Sequence, residues 1–258
     1  MWAKSNEGQQ IYGLIGYPLG HSFSKDYFNK KFAQLRLNAF YENFELPSAH
    51  AFPELLQRFP NLCGLNVTLP YKEAIIPYLD ALSPEAKAIQ AVNVIRFTPQ
   101  GLIGYNSDYY GFLTSFRPLL RPFDRHAVVL GTGGAARAVA YALSLLDISV
   151  QFVSRTKRTG VITYEELAER KLLATTSLVI NCTPLGMFPH KTTFPPLPYR
   201  EISSYHLLYD LIYNPAETLF LSRGKEQGAM TKNGLEMLHL QAEKAWDIWQ
   251  EPFDTSSF

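Results

Sequence analysis

A glycine-rich loop between two apolar runs is the feature of this sequence that most directly indicates chemistry. The loop GTGGAA follows HAVVL and precedes RAVAYALSLL, which places it between a strand and a helix. A loop of the form G-x-G-x-x-G/A permits a tight turn, leaves room for a pyrophosphate and offers it free amides. The alternative is an ordinary glycine-rich turn, but the context favours a dinucleotide. The predicted cofactor residues are Gly131, Thr132, Gly133, Gly134 and Ala135.

The strand after this loop ends in basic residues, where an NAD site would carry an acidic one. An Asp or Glu about 20 residues beyond the glycines would bind a ribose 2′-hydroxyl. This chain instead has Ser154, Arg155, Thr156, Lys157 and Arg158. A 2′-phosphate is attracted by guanidinium and ammonium groups and repelled by carboxylates. A basic loop is usually only a solvated face, but its position in a nucleotide-binding unit predicts NADP.

The elements that would position these residues fall into two sets. In the first half, the strand-like runs IYGLIG, AFYENFEL and LCGLNV alternate with helical patterns, which predicts parallel βαβ units. The alternation restarts after Phe123 with HAVVLG, ISVQFVS, SLVINC and YHLLYDLIY, and the chain ends in the amphipathic stretch NGLEMLHLQAEKAWDIW. The restart predicts a second α/β domain. The segment between Thr156 and Leu178 is short for a full crossover.

Composition and charge exclude several classes of protein. The 258 residues, 47% hydrophobic and 18% charged, suffice for one large or two modest domains. The net charge of +1 creates no field for nucleic acid or anionic membrane. The expected partner is a small molecule. With no long apolar run and no secretory-type start, we expect a cytoplasmic protein. Cys63 and Cys182 lack metal-ligand spacing, which predicts buried thiols and no metal.

Short motifs rich in glycine, asparagine and hydroxyl residues run along nearly the whole chain. In the first half they are YGLIG and PLGHSFS within residues 12–24, GLNVTLPYK at 64–72, AVN at 91–93 and GYNSDYYG at 104–111. In the second half they are GTGGAAR, SRT at 154–156, NCTPLGM at 181–187, YDLIYNP at 209–215, and GL, ML and QA between 234 and 242. In type and order these motifs resemble the shikimate dehydrogenase family. The departures, such as NSD for Asn-Thr-Asp and SRT for Asn-Arg-Thr, remove no catalytic group.

The resemblance implies a two-domain α/β architecture and an NADP-dependent reduction of 3-dehydroshikimate to shikimate. The substrate-binding domain would comprise residues 1–105 and be completed by a C-terminal helix at 236–258. The Rossmann-like NADP domain would comprise residues 106–235. By the same resemblance the active site lies in the cleft between the domains.

The resemblance also assigns catalytic roles to Lys72 and Asp108. Hydride reduction of a ketone leaves negative charge on oxygen, so the site needs a positioned proton donor. A Lys72 ammonium oriented by Asp108 would supply the proton, with coupled titration of the pair. Without the resemblance, Lys72 is read more simply as a solvated lysine and Asp108 as a helix N-cap.

A polyhydroxylated carboxylate needs many hydrogen-bonding side chains at fixed places. By resemblance, Ser22, Ser24 and Tyr213 would bind the carboxylate. The ring hydroxyls would be bound by Asn66, Thr68, Asn93, Asp108 and Gln241, together with Lys72. The ordinary alternatives are helix caps for the two serines, a turn for Thr68, a polar helix face for Gln241 and core for Tyr213.

Further cofactor contacts follow from the same resemblance. Gly228 and Met230 would lie near the nicotinamide, although Gly228 alone reads as a turn glycine. Asn181, Thr183 and Pro184 fit the end of a strand at the cofactor crevice.

Two alternatives to this function stay open. One is a broader quinate/shikimate dehydrogenase with some use of NAD, against which Arg155 and the paired Ser22 and Ser24 argue. The other is a non-catalytic ligand sensor on the same fold, which the presence of Lys72 and Asp108 disfavours. A monomer and a homodimer are equally compatible with the sequence.

Overall fold

The computed structural model describes residues 8–20 and 22–252, so His21 of the PLGHSFS motif lies outside the described residues. The chain divides into two compact units. Unit 1 comprises residues 1–107 together with the segment from Ala242, and unit 2 comprises Asp108–Gln241. The chain therefore leaves unit 1 between Ser107 and Asp108 and returns within its last helix. The predicted divisions were 105/106 and 235/236.

Unit 1 is built on a mixed six-stranded sheet. Its strands are β1 (Gln10–Gly16), β2 (Ala39–Glu45), β3 (Leu62–Val67), β4 (Ala81–Leu82), β5 (Val94–Thr98) and β6 (Gly101–Tyr105). Its helices are α1 (Phe23–Gln34), α2 (Phe52–Arg58) and α3 (Pro84–Ile89), with 3-10 turns at Ala49–Ala51 and Ile76–Tyr78. The strand order is β2-β1-β3-β5-β6-β4.

The three strands predicted in this half of the chain, β1, β2 and β3, run parallel as expected, and the sheet also contains antiparallel strands that were not predicted. Strand β1 pairs in parallel with β2 and β3, but β5 is antiparallel to both β3 and β6. Strands β5 and β6 form a hairpin whose two-residue turn, Pro99-Gln100, leads into Gly101 at φ +126°. A two-residue connection leaves no length for the crossover that parallel strands require. No strand was predicted between residues 91 and 111, so the hairpin is a feature that only the structure shows.

Both faces of this sheet are covered. Alternate residues of β1 point to opposite sides: Ile11 and Ile15 join a core that includes α2, and Tyr12 and Leu14 join a core that includes α1. This second core contains Phe28 and Phe32 of α1 and also Ala245 and Trp249 from the C-terminal helix. The apolar spacing in that last stretch is thereby explained.

Unit 2 is built on a second six-stranded sheet. Its strands are β7 (His126–Leu130), β8 (Ser149–Val153), β9 (Val161–Ile162), β10 (Leu178–Asn181), β11 (Leu207–Asp210) and β12 (Met230–Lys232). Its helices are α4 (Asp108–Phe116), α5 (Gly134–Ser144), α6 (Tyr164–Glu169), α7 (Leu219–Glu226) and the first part of α8 (Leu235–Gln250), with 3-10 turns at Arg117–Leu119, Leu172–Ala174 and Tyr199–Glu201. The order is β12-β11-β10-β7-β8-β9, and every pair is parallel.

This sheet, apolar on both faces, is the doubly covered parallel sheet of a nucleotide-binding fold. In β7, Ala127 and Val129 pack on one side, with α4 and α5, while Val128 and Leu130 pack on the other, with α6 and α7. The predicted α/β class is confirmed. No helix among the described residues is long and apolar enough to cross a membrane.

A short helix does form between Thr156 and Leu178, where the sequence allowed little room for one. Helix α6 begins after a capping box in which the Thr163 hydroxyl accepts from the Glu166 amide and Glu166 accepts from the Thr163 amide. Reciprocal capping satisfies two helix-end amides and so stabilises a helix of less than two turns.

Gly64 provides a test of unit 1 packing. A Cβ atom at Gly64 would lie 2.5 Å from Cδ1 of Trp249, and the indole is held by its Nε1 donating to the Ile95 carbonyl at 3.1 Å. We expect Gly64→Ala to lower the free energy of unfolding by about 1–3 kcal/mol in urea denaturation. Gly20→Ala is the control, because none of the residues that the structure describes lies within 4 Å of a Cβ placed there. An equal loss in both variants would contradict this account.

Candidate functional site

The glycine loop has the geometry of a phosphate-binding turn. Gly131 has φ +104° and its amide donates to the Val153 carbonyl at 2.8 Å, which joins the loop to the end of β8. A Cβ there would lie 3.3 Å from the Cys182 carbonyl oxygen, so both conformation and space favour glycine. Gly133 is the N-cap of α5 and has open space on its Cβ side. The helix start therefore presents amides to a space that a pyrophosphate can enter.

The basic loop follows β8 directly and is exposed from Arg155 to Arg158. The Thr156 amide donates to the Ser154 hydroxyl at 3.4 Å, which makes the start of the loop a tight turn. Lys157 forms an ion pair with Glu166 of α6, and this ammonium holds the pKa of the Glu166 carboxyl below its ordinary value. Lys157 therefore already has a carboxylate partner.

The neighbouring strands β10 and β11 end in a buried hydrogen-bonded pair. Asn181 and Asp210 lie opposite each other in register, and Nδ2 of Asn181 donates to Oδ1 of Asp210 at 3.0 Å. Oδ1 of Asn181 accepts from the Thr183 amide at 3.0 Å and from its hydroxyl at 2.6 Å. Pro184 follows and is exposed. Ligands of open parallel sheets bind outside such carboxyl ends, which supports the predicted positions of Asn181, Thr183 and Pro184.

The structure separates Gly228 and Met230 from this end of the sheet. Met230 is the first residue of β12 and pairs with Leu207, the first residue of β11, so it lies at the amino ends of the strands. Gly228, at φ +83°, follows the end of α7, where a left-handed residue is needed to leave the helix. The prediction that these two residues line the cofactor site is therefore corrected. Motif position alone did not establish which end of β12 faces the crevice.

In unit 1, the predicted residues Asn66 and Asn93 belong to one buried polar network. Nδ2 of Asn66 donates to the Asn93 carbonyl at 3.2 Å. Nδ2 of Asn93 donates to the Ser107 hydroxyl at 3.0 Å, and Oδ1 of Asn93 accepts from the Ser107 amide at 2.6 Å. Both asparagines are almost completely buried. Buried amides of this kind have fixed orientations because every reversal would break a hydrogen bond.

Tyr41 extends this network toward the predicted serines. Its hydroxyl donates to Oδ1 of Asn66 at 2.7 Å. Burial raises the pKa of Tyr41 well above its ordinary value, and a hydrogen bond with Ser24 acts in the opposite direction. Ser22 is the N-cap of α1, and its hydroxyl accepts from the Lys25 amide at 3.4 Å. The expected capping role of Ser22 is observed, while Ser24 lies in the first turn of the same helix.

Backbone hydrogen bonds bring Thr68 and Lys72 to the same edge of unit 1. The Thr68 amide donates to the Ile15 carbonyl at 2.9 Å, and the Thr68 carbonyl accepts from the Tyr71 amide at 2.9 Å. The Lys72 carbonyl accepts from the Val92 amide at 2.7 Å, one residue before Asn93. The turn after β3 is thus fixed to the segment that carries Asn93.

The other three predicted residues belong to unit 2. Asp108 is the first residue of α4 and is almost completely buried. Tyr213 follows β11, and burial raises the pKa of its phenol. Gln241 lies on α8, and its Nε2 donates to the Leu238 carbonyl at 3.0 Å. Lys72 and Asp108 therefore come from different units, and Asp108 follows Ser107 directly in the chain.

Sequence reasoning missed three residues that organise these sites. Tyr41, Ser107 and Asp210 all lie within sequence segments that were read as strand or motif, but their partners are far away in the chain. The available signal was their polar character at positions where the strand pattern requires burial. Such a residue must find a partner, but its own sequence does not say which one.

The parallel sheet with its glycine loop and the second, polar-edged unit define a two-domain α/β dinucleotide-dependent protein. The sequence model of the shikimate dehydrogenase substrate binding domain matches residues 14–95. NADP(+)-dependent shikimate dehydrogenases from Carboxydothermus hydrogenoformans and Clostridium beijerinckii are 39% and 40% identical, over 95% and 94% of this chain and 92% of each relative. The crystal structure of Thermus thermophilus shikimate 5-dehydrogenase with NADP(H) and shikimate superposes with a TM-score of 0.81 at 32% identity, covering 94% of each chain. The chain belongs to the shikimate dehydrogenase family.

Tyr41→Phe tests the unit 1 network. Without the hydroxyl, Oδ1 of Asn66 loses its donor, so we expect the free energy of unfolding to fall by about 1–2 kcal/mol and calorimetric binding of shikimate to weaken. Tyr12→Phe is the matched control, because Tyr12 lies in the same aromatic cluster but its hydroxyl accepts only from Gln250, at 3.3 Å, among the contacts described. If both variants weakened shikimate binding equally, the network would not orient the ligand groups.

Proposed function

We propose that this protein catalyses the reversible NADPH-dependent reduction of 3-dehydroshikimate to shikimate. The observation that carries the proposal is the buried network of Asn66, Asn93 and Ser107, which lies on the same edge of unit 1 as the Lys72 turn. Fixed amides and hydroxyls suit a ring with several hydroxyl groups better than an apolar ligand. Membership of the family adds the identity of the reaction.

The cofactor would be held by unit 2. The open space beside Gly133 and the free amides at the start of α5 fit a pyrophosphate, and Arg155 and Arg158 supply positive charge for a 2′-phosphate. Thr132, Gly134, Ala135, Ser154 and Thr156 complete the proposed set, with Asn181, Thr183 and Pro184 at the strand ends. When bound, NADPH supplies the hydride. All other chemistry falls to side chains of this chain.

We assign proton transfer to Lys72 and Asp108. The ketone oxygen gains negative charge as it is reduced, and an ammonium at Nζ of Lys72 is a suitable donor to it. The Asp108 carboxylate would orient that ammonium and share its proton. In the reverse direction the same pair would accept the proton from the shikimate hydroxyl.

Substrate recognition would combine residues of both units. Ser22, Ser24 and Tyr213 are proposed to bind the carboxylate through hydroxyl donors. Asn66, Thr68, Asn93 and Gln241, with Lys72 and Asp108, are proposed to bind the ring hydroxyls. The fixed orientation of the two asparagine side chains supports this role. Oδ1 of Asn66 accepts from the Tyr41 hydroxyl, and Oδ1 of Asn93 accepts from the Ser107 backbone amide.

The cellular setting is also part of the proposal. Cys63 and Cys182 are free thiols, as is usual in a reducing compartment, which supports the expected cytoplasmic location. We propose small molecules as partners, without nucleic acid or membrane. The monomer and homodimer alternatives would be separated by light scattering on the purified protein.

The assay that tests the function follows reduced-nicotinamide absorbance with shikimate or quinate and with NADP or NAD. The expected result is rapid reduction of NADP with shikimate and slow reduction in the three other combinations. Comparable rates with quinate or NAD would indicate the broader dehydrogenase. Shikimate binding without turnover in any combination would overturn the enzymatic proposal and indicate a ligand sensor.

Lys72→Ala and Asp108→Ala test the proton-transfer assignment. We expect each to lower kcat by about 100-fold or more, with a smaller change in shikimate affinity, because a group that acts in the transition state is removed. Lys87→Ala is the control, since Lys87 is an exposed lysine of α3 in the same unit. Near-normal kcat in either site variant would refute the assignment.

Arg155→Ala tests cofactor selection. Removing a guanidinium that contacts a 2′-phosphate should raise the KM for NADP about tenfold and change the KM for NAD much less. Lys157→Ala should have a smaller effect on both, because Glu166 already pairs with this ammonium. Steady-state kinetics with both cofactors measure the ratio, and an equal loss for NADP and NAD would show that Arg155 does not read the phosphate.

A further inference from the structure

Asp210 is a fully buried carboxylate at the carboxyl end of β11. Oδ1 accepts from Nδ2 of Asn181 at 3.0 Å and from the Ile212 amide at 3.1 Å, and Oδ2 accepts from the Thr218 hydroxyl at 2.6 Å. All three donors are neutral, and no ion pair involves Asp210 among the residues that the structure describes. A buried charge without a cation is an expensive arrangement.

Burial raises the pKa of Asp210 from 3.8 to about 7, although the hydrogen bonds from Thr218, Ile212 and Asn181 act to lower it. Among the described residues, Asp210 interacts electrostatically with two other titratable groups, Cys182 after β10 and Tyr199 in a 3-10 turn, and the pKa values of both are raised. These two groups are neutral near pH 7 and offer Asp210 no compensating charge. Strongly perturbed ionisable groups concentrate at functional sites.

The three donors lie on segments with different tasks. Oδ1 of Asn181 accepts from both the backbone amide and the hydroxyl of Thr183. The Thr183 hydroxyl accepts in turn from the Leu185 amide at 3.3 Å. Ile212 precedes Tyr213, and Thr218 is the N-cap of α7. One carboxylate thus connects the turn after β10, the turn after β11 and the start of a helix.

We propose that Asp210 is a positioning residue, whose carboxylate fixes the 181–185 turn against the cofactor and the 211–213 turn that carries Tyr213. This inference rests on the proposed function, because it assigns these turns to the NADP and substrate sites. The ionised form is the one that accepts from all three donors. Protonation of Oδ2 would leave the Thr218 hydroxyl hydrogen without its acceptor and weaken the bonds to Oδ1.

Asp210→Asn reproduces the protonated form. Its Oδ1 can still accept from Asn181 and Ile212, although more weakly than a carboxylate oxygen does, and Nδ2 can donate to the Thr218 hydroxyl, so the variant should fold. Because the folded state raises the pKa of this acid, the native protein binds an extra proton between pH 3.8 and about 7. The contribution of Asp210 to stability therefore falls as pH rises through that interval. Removing the charge should raise Tm above pH 7.

The expected signature is a gain in stability with a loss of cofactor binding. At about pH 8.5 we expect Asp210→Asn to have a higher Tm than wild type and an NADP+ Kd about tenfold weaker by calorimetry. At about pH 5.5 the two Kd values should converge, because wild type is then protonated. Replacing a carboxylate with a purely structural role would not raise Tm and weaken NADP+ binding at the same time.

Asp124→Asn is the matched control. Asp124 is a second buried carboxylate of unit 2, but it accepts from Arg121 and Ser177 at the amino end of β10. Although burial acts to raise it, these hydrogen bonds hold the pKa of Asp124 below its ordinary value. Its replacement should lower Tm above pH 5 or so and leave the NADP+ Kd unchanged.

The outcomes distinguish a failure of the positioning role from a failure of the proposed function. If wild type binds NADP+ but Asp210→Asn binds it equally well at about pH 8.5, the positioning role is refuted while the proposed function stands. If wild type binds NADP+ but does not oxidise shikimate, the proposed reaction fails and the calorimetric comparison still decides the role of Asp210. If wild type does not bind NADP+, both proposals fail.

Discussion

The double hydrogen bond between Asn93 and Ser107 is the contact on which the polar edge of unit 1 depends. Its two bonds fix the side-chain amide of Asn93. The backbone carbonyl of Asn93 accepts in turn from the backbone amide of Val67 and from the side chain of Asn66. These contacts require the β5–β6 hairpin. At its open end the backbone amide of Asn93 donates to the Tyr105 carbonyl, which brings Ser107 close to the Asn93 side chain. An unpartnered buried amide would cost about 1–3 kcal/mol, so the hairpin and the site stabilise each other. The site is therefore part of the fold of this unit and is not an addition to its surface.

Unit 2 uses the ends of parallel strands in a different way. Its sheet places the glycine loop after β7, the basic loop after β8 and Asn181 at the end of β10, so groups distant in sequence share one edge. Here the organising group is the buried carboxylate of Asp210, which accepts from three donors. A neutral side chain of the same size could not accept from all three. A buried carboxylate without a cation lowers the stability of the fold. Such local destabilisation is common at functional sites, where several turns must keep one arrangement.

Local charges, and not the net charge of the chain, govern the nucleotide end. The overall charge of +1 provides no general attraction for an anion. Arg155 and Arg158 are exposed on the loop after β8, whereas Lys157 is paired with Glu166, which also caps α6. The capping box thus has a second consequence, because the residue that stabilises a short helix also reduces the positive charge available beside it.

The sequence by itself determined the α/β class, the strand–loop–helix context of Gly131 to Gly134, the sign of charge after β8 and the family motifs. These are properties of neighbouring residues, and apolar period, glycine spacing and charge are local. Only the tertiary structure decided that β5 runs antiparallel to β3, that Gly228 and Met230 lie at the amino end of β12, and that Tyr41, Ser107 and Asp210 organise the predicted residues. Strand direction and the partner of a buried polar group depend on which distant segment packs alongside. That choice is made by the free energy of the whole fold, since a buried donor or acceptor is stable only where another segment completes it.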